Sequence, residues 1–213
     1  MPVHQERPWI VGITGASGAV YGVKLCRALL KSARDIHLVI TEAGWRVLQD
    51  ELDWRGGDRA ALLQAHLGAG NGRITYHNVK DIGASIASGS HRTAGMVVVP
   101  CSMGTLSAIA KGASDNLLER AADVMLKEGR PLLLVPRETP LHAVHLENML
   151  TLARIGAKLV PAMPAFYHKP STLDEATDFL VGKVLDLMDI EHDLYRRWGE
   201  HSHERSSDTD RQD

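Results

Sequence analysis

Two short runs, GMVVVP at 95–100 and RPLLLVP at 130–136, are almost wholly aliphatic and end on proline. A strand with one wet face alternates apolar with polar residues. A run with no polar member has to be covered on both faces, which calls for a parallel sheet between two helix layers. The rest of the chain agrees. WIVGIT (9–14) and IHLVI (36–40) read as two further buried strands, RITYH (73–77) as a weaker one and AKLVPA (157–162) as a last one. Helical patterns fill the gaps at about 18–32, 41–52, 102–112, 115–129, 139–155 and 172–188, with a short helix between the glycine-rich turns of 53–73. Asp115 is the expected N-cap of one helix, and Thr139 with Pro140 at the first position opens another. Strands alternating with helices give a three-layer α/β/α fold with a mainly parallel sheet.

The length of 213 residues suits a single domain. We read residues 1–199 as that domain, with a C-terminal extension that begins helical, and 200–213 as a polar tail expected to be disordered. A net charge of -2 offers no basic field for nucleic acid, and eleven histidines are scattered without the spacing of a zinc site, so no metal is expected. No run approaches a membrane span, and no apolar signal core precedes the first strand. Two cysteines, Cys26 and Cys101, cannot build a disulfide framework and fit a reducing cytoplasm.

Ligands of such sheets bind beyond the carboxyl ends of the strands. The segments of interest are therefore Thr14–Gly18, Thr41–Glu42, Cys101–Thr105 and Arg137–Thr139. GITGASGAVYG sets Gly12, Gly15 and Gly18 around Ser17 between strand and helix, where backbone amides at a helix start attract a phosphate. The pattern is not GxGxxG, yet Glu42 after the second strand could serve a dinucleotide ribose. PCSMGTLSAIAKG repeats the device with Ser102, Gly104 and Thr105; a cap explains one hydroxyl but not three small polar residues. Arg120 and Lys127 lie seven apart on one helix face, which by pattern alone is a solvated face beside Glu119 and Asp123. Phe166, Tyr167 and His168 sit on a proline-stiffened loop and read first as packing. For Arg137 and Glu138 the choice is between a local ion pair and chemistry. An exposed pair adds only about 0–1 kcal/mol, so a phosphate-binding arginine beside a proton-transferring glutamate is the better reading.

Taken together, GITGASGAVYG, DIGASIASGS, VVVPCSMGTLSAIAKG, DNLLERAADVMLKE, VPRETPLHAVHLENM and PAMPAFYHKP resemble, in this order, the UbiX-type flavin prenyltransferases, over about residues 10–187 with an extension to Trp198. The resemblance implies a Rossmann-like or flavodoxin-like sheet and a dodecamer with active sites where subunits meet. It implies reduced FMN and dimethylallyl phosphate as substrates, no metal, and prenylated FMN as a product handed to a UbiD-type decarboxylase. It places Gly15, Ala16, Ser17, Thr41, Ser102, Met103, Gly104, Thr105 and Arg137 at the flavin. Tyr167, Lys183 and Lys127 fall at the prenyl phosphate, Arg120 and Glu138 at other charged active-site positions, Glu51 at the subunit junction and Trp198 over the site, with Glu138, Lys127, Ser17, Glu51 and Arg120 as the catalytic set. Lys183 is invisible to pattern reading, because DFLVGKVLDLM makes it look like a surface lysine. The chain departs from the family pattern at Gly129, where an arginine is expected, and at His91, where an aromatic residue is usual and the prenyl pocket could be affected. Two rivals remain: an FMN-dependent decarboxylase of the related cysteine-decarboxylase superfamily, and a non-catalytic FMN carrier.

Overall fold

The structure, a computed structural model, describes residues 7–68 and 70–197. Six strands, β1 (Trp9–Ile13), β2 (Ile36–Ile40), β3 (Ile74–His77), β4 (Gly95–Cys101), β5 (Leu132–Pro136) and β6 (Lys158–Leu159), form one sheet in the order β3-β2-β1-β4-β5-β6. Every pairing is parallel. All residues of β1, β4 and β5 are buried, as runs without polar members require. The last strand shrinks to two residues at the sheet edge, so most of AKLVPA runs on as loop.

Helices α1 (Ala19–Lys31), α2 (Glu42–Leu52), α3 (Arg59–Leu67) and α7 (Leu173–Leu187) share one core with Trp9, Val11 and Ile13. Helices α4 (Met103–Ala110), α5 (Leu117–Lys127) and α6 (Ala143–Arg154) share another with Ile10, Met96 and Val98. Alternate residues of β1 thus enter opposite cores, as the two-residue period of a strand dictates. Cys26 lies in the first core and Cys101 in the second; burial pushes both thiols up to about 12.

Three boundaries differ from the sequence reading. Asn116, not Asp115, caps α5, because its side chain accepts from Glu119 N while Glu119 accepts in return from Asp115 N. Helix α6 begins at Ala143 rather than after Thr139. Thr139 N donates to Glu138 Oε1 and its hydroxyl to Glu138 O, and these local bonds hold a turn where a helix was expected. The C-terminal extension is not helical over residues 191–197. Asp189 adopts a left-handed φ of 58° and stops α7, and the following side chains turn back onto that helix. Residues 200–213 lie outside the described residues.

Three imidazoles form a string at the β2–β3 side of the sheet. His37 Nδ1 lies 2.8 Å from His77 Nε2, and His37 Nε2 lies 3.2 Å from His91 Nε2. One proton per gap satisfies all three rings when each is neutral. Burial first, then His77 and His91, lower the His37 pKa to about 4, against a smaller opposing effect of Asp35; Asp81 acts similarly on His77. A depressed histidine pKa means the unfolded chain takes up the proton first, so this stabilisation is complete above pH 6.5 and is lost as pH falls towards 4. We therefore expect the melting temperature to drop between pH 7 and pH 4.5, and His37→Gln to flatten part of that slope. Parallel melting curves for the two proteins would refute the expectation.

Candidate active site

In the order 3-2-1-4-5-6, chain direction across the sheet reverses between β1 and β4, and a crevice opens above their carboxyl ends. Thr14 joins those two ends. Its hydroxyl donates to Pro100 O at 2.8 Å and accepts from Ser102 N at 2.8 Å, in a position only 1% exposed. Ser102 then caps α4, with its Oγ accepting from Thr105 N and donating to Thr105 Oγ1. Met103 is buried beneath, whereas a Cβ added to Gly104 would meet nothing within 4 Å. The first turn of α4 thus presents bare backbone to open space, which suits close approach of an anionic ligand. Thr41 caps α2 by accepting from Gly44 N.

The loop after β1 is shaped by close packing. A Cβ on Gly15 would fall 2.5 Å from Ala43 Cβ, so only glycine lets this loop lie against α2. Gly18 enters α1 at φ 101°. The start of α1, expected to attract a phosphate, already holds a carboxylate. Glu51, from the end of α2, accepts from Gly18 N at 2.9 and 3.1 Å and from Ala19 N at 2.9 Å. Glu51 thus takes up, within its own chain, the amides at which a phosphate was expected, whereas the first turn of α4 is left open.

Arg137 and Glu138 do not pair with each other among the described residues. Arg137 Nε donates to Ser17 O at 3.3 Å across the rim, while Glu138 accepts from the amide of Thr139. Arg137 separates two cavities. One of about 630 Å³ lies between Ser17, Gly18, Glu51 and the start of α7 at Leu173, Asp174 and Thr177; one of about 100 Å³ lies over Glu138, Thr139, Met149 and Met163. The larger falls within the roughly 300–1,000 Å³ of small-ligand sites. Pattern reading overlooked the α7 residues in its wall, because nothing local marks a helix that meets the rim only after 150 residues of intervening chain.

The remaining candidates lie elsewhere in the chain. Arg120 donates to Ala87 O and pairs with Asp123; Lys127 pairs with Glu128 beside Gly89. Helix α5 feeds β5 after only four residues, so Lys127 sits where β5 begins and Arg137 and Glu138 where it ends. Five strand residues at about 3.3 Å each separate them by roughly 16 Å along the strand. Tyr167 stands edge-on to Phe179 of α7, and Lys183, one turn further along, faces Asp186. Trp198 lies outside the described residues. His91 belongs to the imidazole string and touches neither cavity wall, and Gly129 ends α5 at φ 64°, a geometry an arginine would strain. Glu42, the possible ribose ligand, accepts from Nη1 and Nη2 of Arg59, whose guanidinium lowers its pKa. Among the described residues no cluster of histidine, cysteine and carboxylate could hold a metal, and no helix is long and apolar enough to cross a membrane.

Comparison with known proteins gives the family. The flavoprotein family model matches residues 3–198. The flavin prenyltransferase UbiX of Halalkalibacterium halodurans is 55% identical over 192 residues, covering 90% of this chain and 93% of the relative. The crystal structure of AnUbiX (PadA1) in complex with FMN and dimethylallyl pyrophosphate is 41% identical with a TM-score of 0.82, covering 91% of this chain and 97% of that one. A dodecameric FMN-dependent UbiX-like decarboxylase from Escherichia coli O157:H7 is 46% identical with a TM-score of 0.80, covering 90% and 98%. With such likeness along nearly its whole length, this chain belongs to the flavoprotein family and, within it, to the UbiX-type flavin prenyltransferases.

Proposed function

We propose that this chain is a flavin prenyltransferase that joins the dimethylallyl group of dimethylallyl phosphate to N5 and C6 of reduced FMN. The observation that carries the reading is its likeness, at 41% identity, to a UbiX protein holding FMN and dimethylallyl pyrophosphate together. The rim fits FMN on its own terms. Gly104 leaves space for a phosphate over the α4 amides, next to the hydroxyls of Ser102 and Thr105, and Arg137 borders the larger cavity. Glu42 is committed to Arg59, which removes the acid a dinucleotide would need.

Reduced FMN, when bound, supplies an electron-rich ring with nucleophilic N5 and C6. Gly15, Ala16, Ser17, Thr41, Ser102–Thr105 and Arg137 hold and orient it. Lys127, Tyr167 and Lys183 surround the donor phosphate and stabilise the charge that grows on it as its C–O bond breaks. Arg120 adds positive potential, and to Trp198 we assign the task of keeping water from the allyl fragment. Glu138 takes up the proton released from carbon when the new ring closes. Glu51 keeps the Ser17–Gly18 turn rigid from within the same chain.

Lys127 and Glu138 lie at opposite ends of one chain's sheet, so a site using both draws on more than one subunit. The surface supports this. Val144, Leu146 and Leu150 of α6 are half exposed, and Phe166 and Leu173 flank the rim at 75% and 81% exposure. A homo-oligomer, dodecameric like the Escherichia coli relative, would cover them. We take residues 1–199 as the domain that assembles in this way and 200–213 as an appended tail. The prenylated FMN passes to a UbiD-type decarboxylase, and the reaction takes place in the cytoplasm.

Anaerobic incubation with reduced FMN and either dimethylallyl phosphate or the diphosphate, followed by mass spectrometry of the flavin, tests the reading. A flavin heavier by one dimethylallyl unit is expected. Bound but unaltered FMN with both donors would favour a carrier, and decarboxylation of a cysteine substrate would favour the decarboxylase.

A further inference from the structure

One face of α7 carries Phe179, Gly182, Lys183 and Asp186, spaced so that all four line up along the helix. A Cβ on Gly182 would lie 2.5–2.6 Å from ring carbons of Tyr195 and His192. The segment after α7 therefore doubles back with both rings seated on the bare helix backbone. Asp186 closes this contact. Its Oδ2 accepts the Tyr195 hydroxyl at 2.5 Å and faces Lys183 Nζ at 3.5 Å; its Oδ1 accepts from Arg197 at 2.8 Å and lies 3.1 Å from His192 Nε2. Partial burial alone would raise this carboxyl, but the bonds from Arg197, Tyr195 and His192 outweigh it and hold it well below the ordinary carboxylate range. The Tyr195 ring lies 4.9 Å from that of Phe179, against which Tyr167 stands edge-on at 5.8 Å and His168 stacks at 5.3 Å.

We infer that Asp186 is a positioning residue for the prenyl-donor phosphate: it fixes the Lys183 ammonium directly and the Tyr167 hydroxyl through the rings of Tyr195 and Phe179. The inference rests on the assignment of Tyr167 and Lys183 to that phosphate. A free lysine stem samples many rotamers and must lose them on binding, whereas one anchored beside a carboxylate loses fewer. The carboxylate does not cancel the attraction for an anion. One negative charge stands against the permanent cations Lys183 and Arg197, so the cluster stays net positive. Nor does Asp186 act as an ordinary surface partner, since its side chain is only 21% exposed and receives donors from both the helix and the segment that follows it.

The test is steady-state kinetics of the assembled, FMN-loaded protein with dimethylallyl phosphate varied. Asp186→Asn keeps the shape and removes the charge; KM for dimethylallyl phosphate should rise about tenfold, with kcat and FMN affinity nearly unchanged. Lys183→Met should also raise KM. In the double variant the rise in KM should fall well short of the product of the two single effects, because only the indirect hold on Tyr167 is then left for Asp186 to exert. Additive effects, or wild-type KM in Asp186→Asn, would overturn the inference. A wild-type KM in Lys183→Met would instead overturn the phosphate assignment beneath it. If Asp186→Asn does not assemble, Tyr195→Phe answers the same question. With the phenol gone, Oδ2 draws Lys183 inward and away from the phosphate, so KM should rise about threefold and again not add to Lys183→Met. An unchanged KM there would end the proposal.

Discussion

Glu138→Gln should slow prenyl transfer roughly 10²–10⁴-fold while FMN stays bound, since that is the usual contribution of a positioned acid or base. Glutamine keeps the volume and can still accept the Thr139 amide bond that Glu138 Oε1 now accepts, so the turn after β5 should survive. Arg137 reaches Ser17 rather than Glu138, so its hold on the rim does not depend on the carboxylate. What disappears is only the capacity to move a proton. FMN affinity measured by fluorescence separates this from loss of the site, and phosphate release followed alongside flavin mass separates bond breaking from ring closure. Released phosphate is itself a competing base, so the loss falls on one step, phosphate departure or ring closure, and a trapped N5-prenyl adduct without the fourth ring would place it in the second. Wild-type rates with normal FMN occupancy would reduce Glu138 to a turn residue.

The second large effect is a recovery. Glu138→Gln and Lys127→Ala should each be nearly inactive alone, yet co-expressed in one assembly they should regain activity. The basis is the length of β5, which holds Lys127 and Glu138 of one chain at opposite ends of the sheet. If a site takes Glu138 from one subunit and Lys127 from another, random mixing leaves about a quarter of the sites with both native residues. Activity per assembly near that fraction is expected. If both residues served the same subunit's site, no mixed site could be whole and activity would stay at background; that result would dismiss the shared-site reading.

The sheet was legible in the sequence because burial on both faces leaves no room for polar residues, and runs such as VVV and LLL have no other stable home. The crevice followed, since the ends of those strands name the segments that must line it: Thr14–Gly18, Cys101–Thr105 and Arg137–Thr139. What pattern could not supply was anything set by distant chain. The α7 wall of the larger cavity and the imidazole string join residues tens of positions apart, and the Asp186 cluster forms only because the segment after α7 doubles back onto the helix. The helix starts were misplaced by one to four residues, because at Asn116 and Thr139 neighbouring side chains compete for the same backbone groups. Glu51 at the start of α1 is the most instructive case. The glycine loop around Ser17 reads as awaiting a phosphate, but the amide of Gly18 already donates to a carboxylate 33 residues away. Family resemblance, not residue pattern, singled out Lys183 and Glu51.

The two buried thiols carry a consequence for a protein that handles reduced flavin. Reduced flavin meeting oxygen yields peroxide, and peroxide attacks cysteine only as the thiolate. With both thiols held near 12 and shut inside opposite cores, this chain exposes no thiolate to an oxidant made at its own crevice.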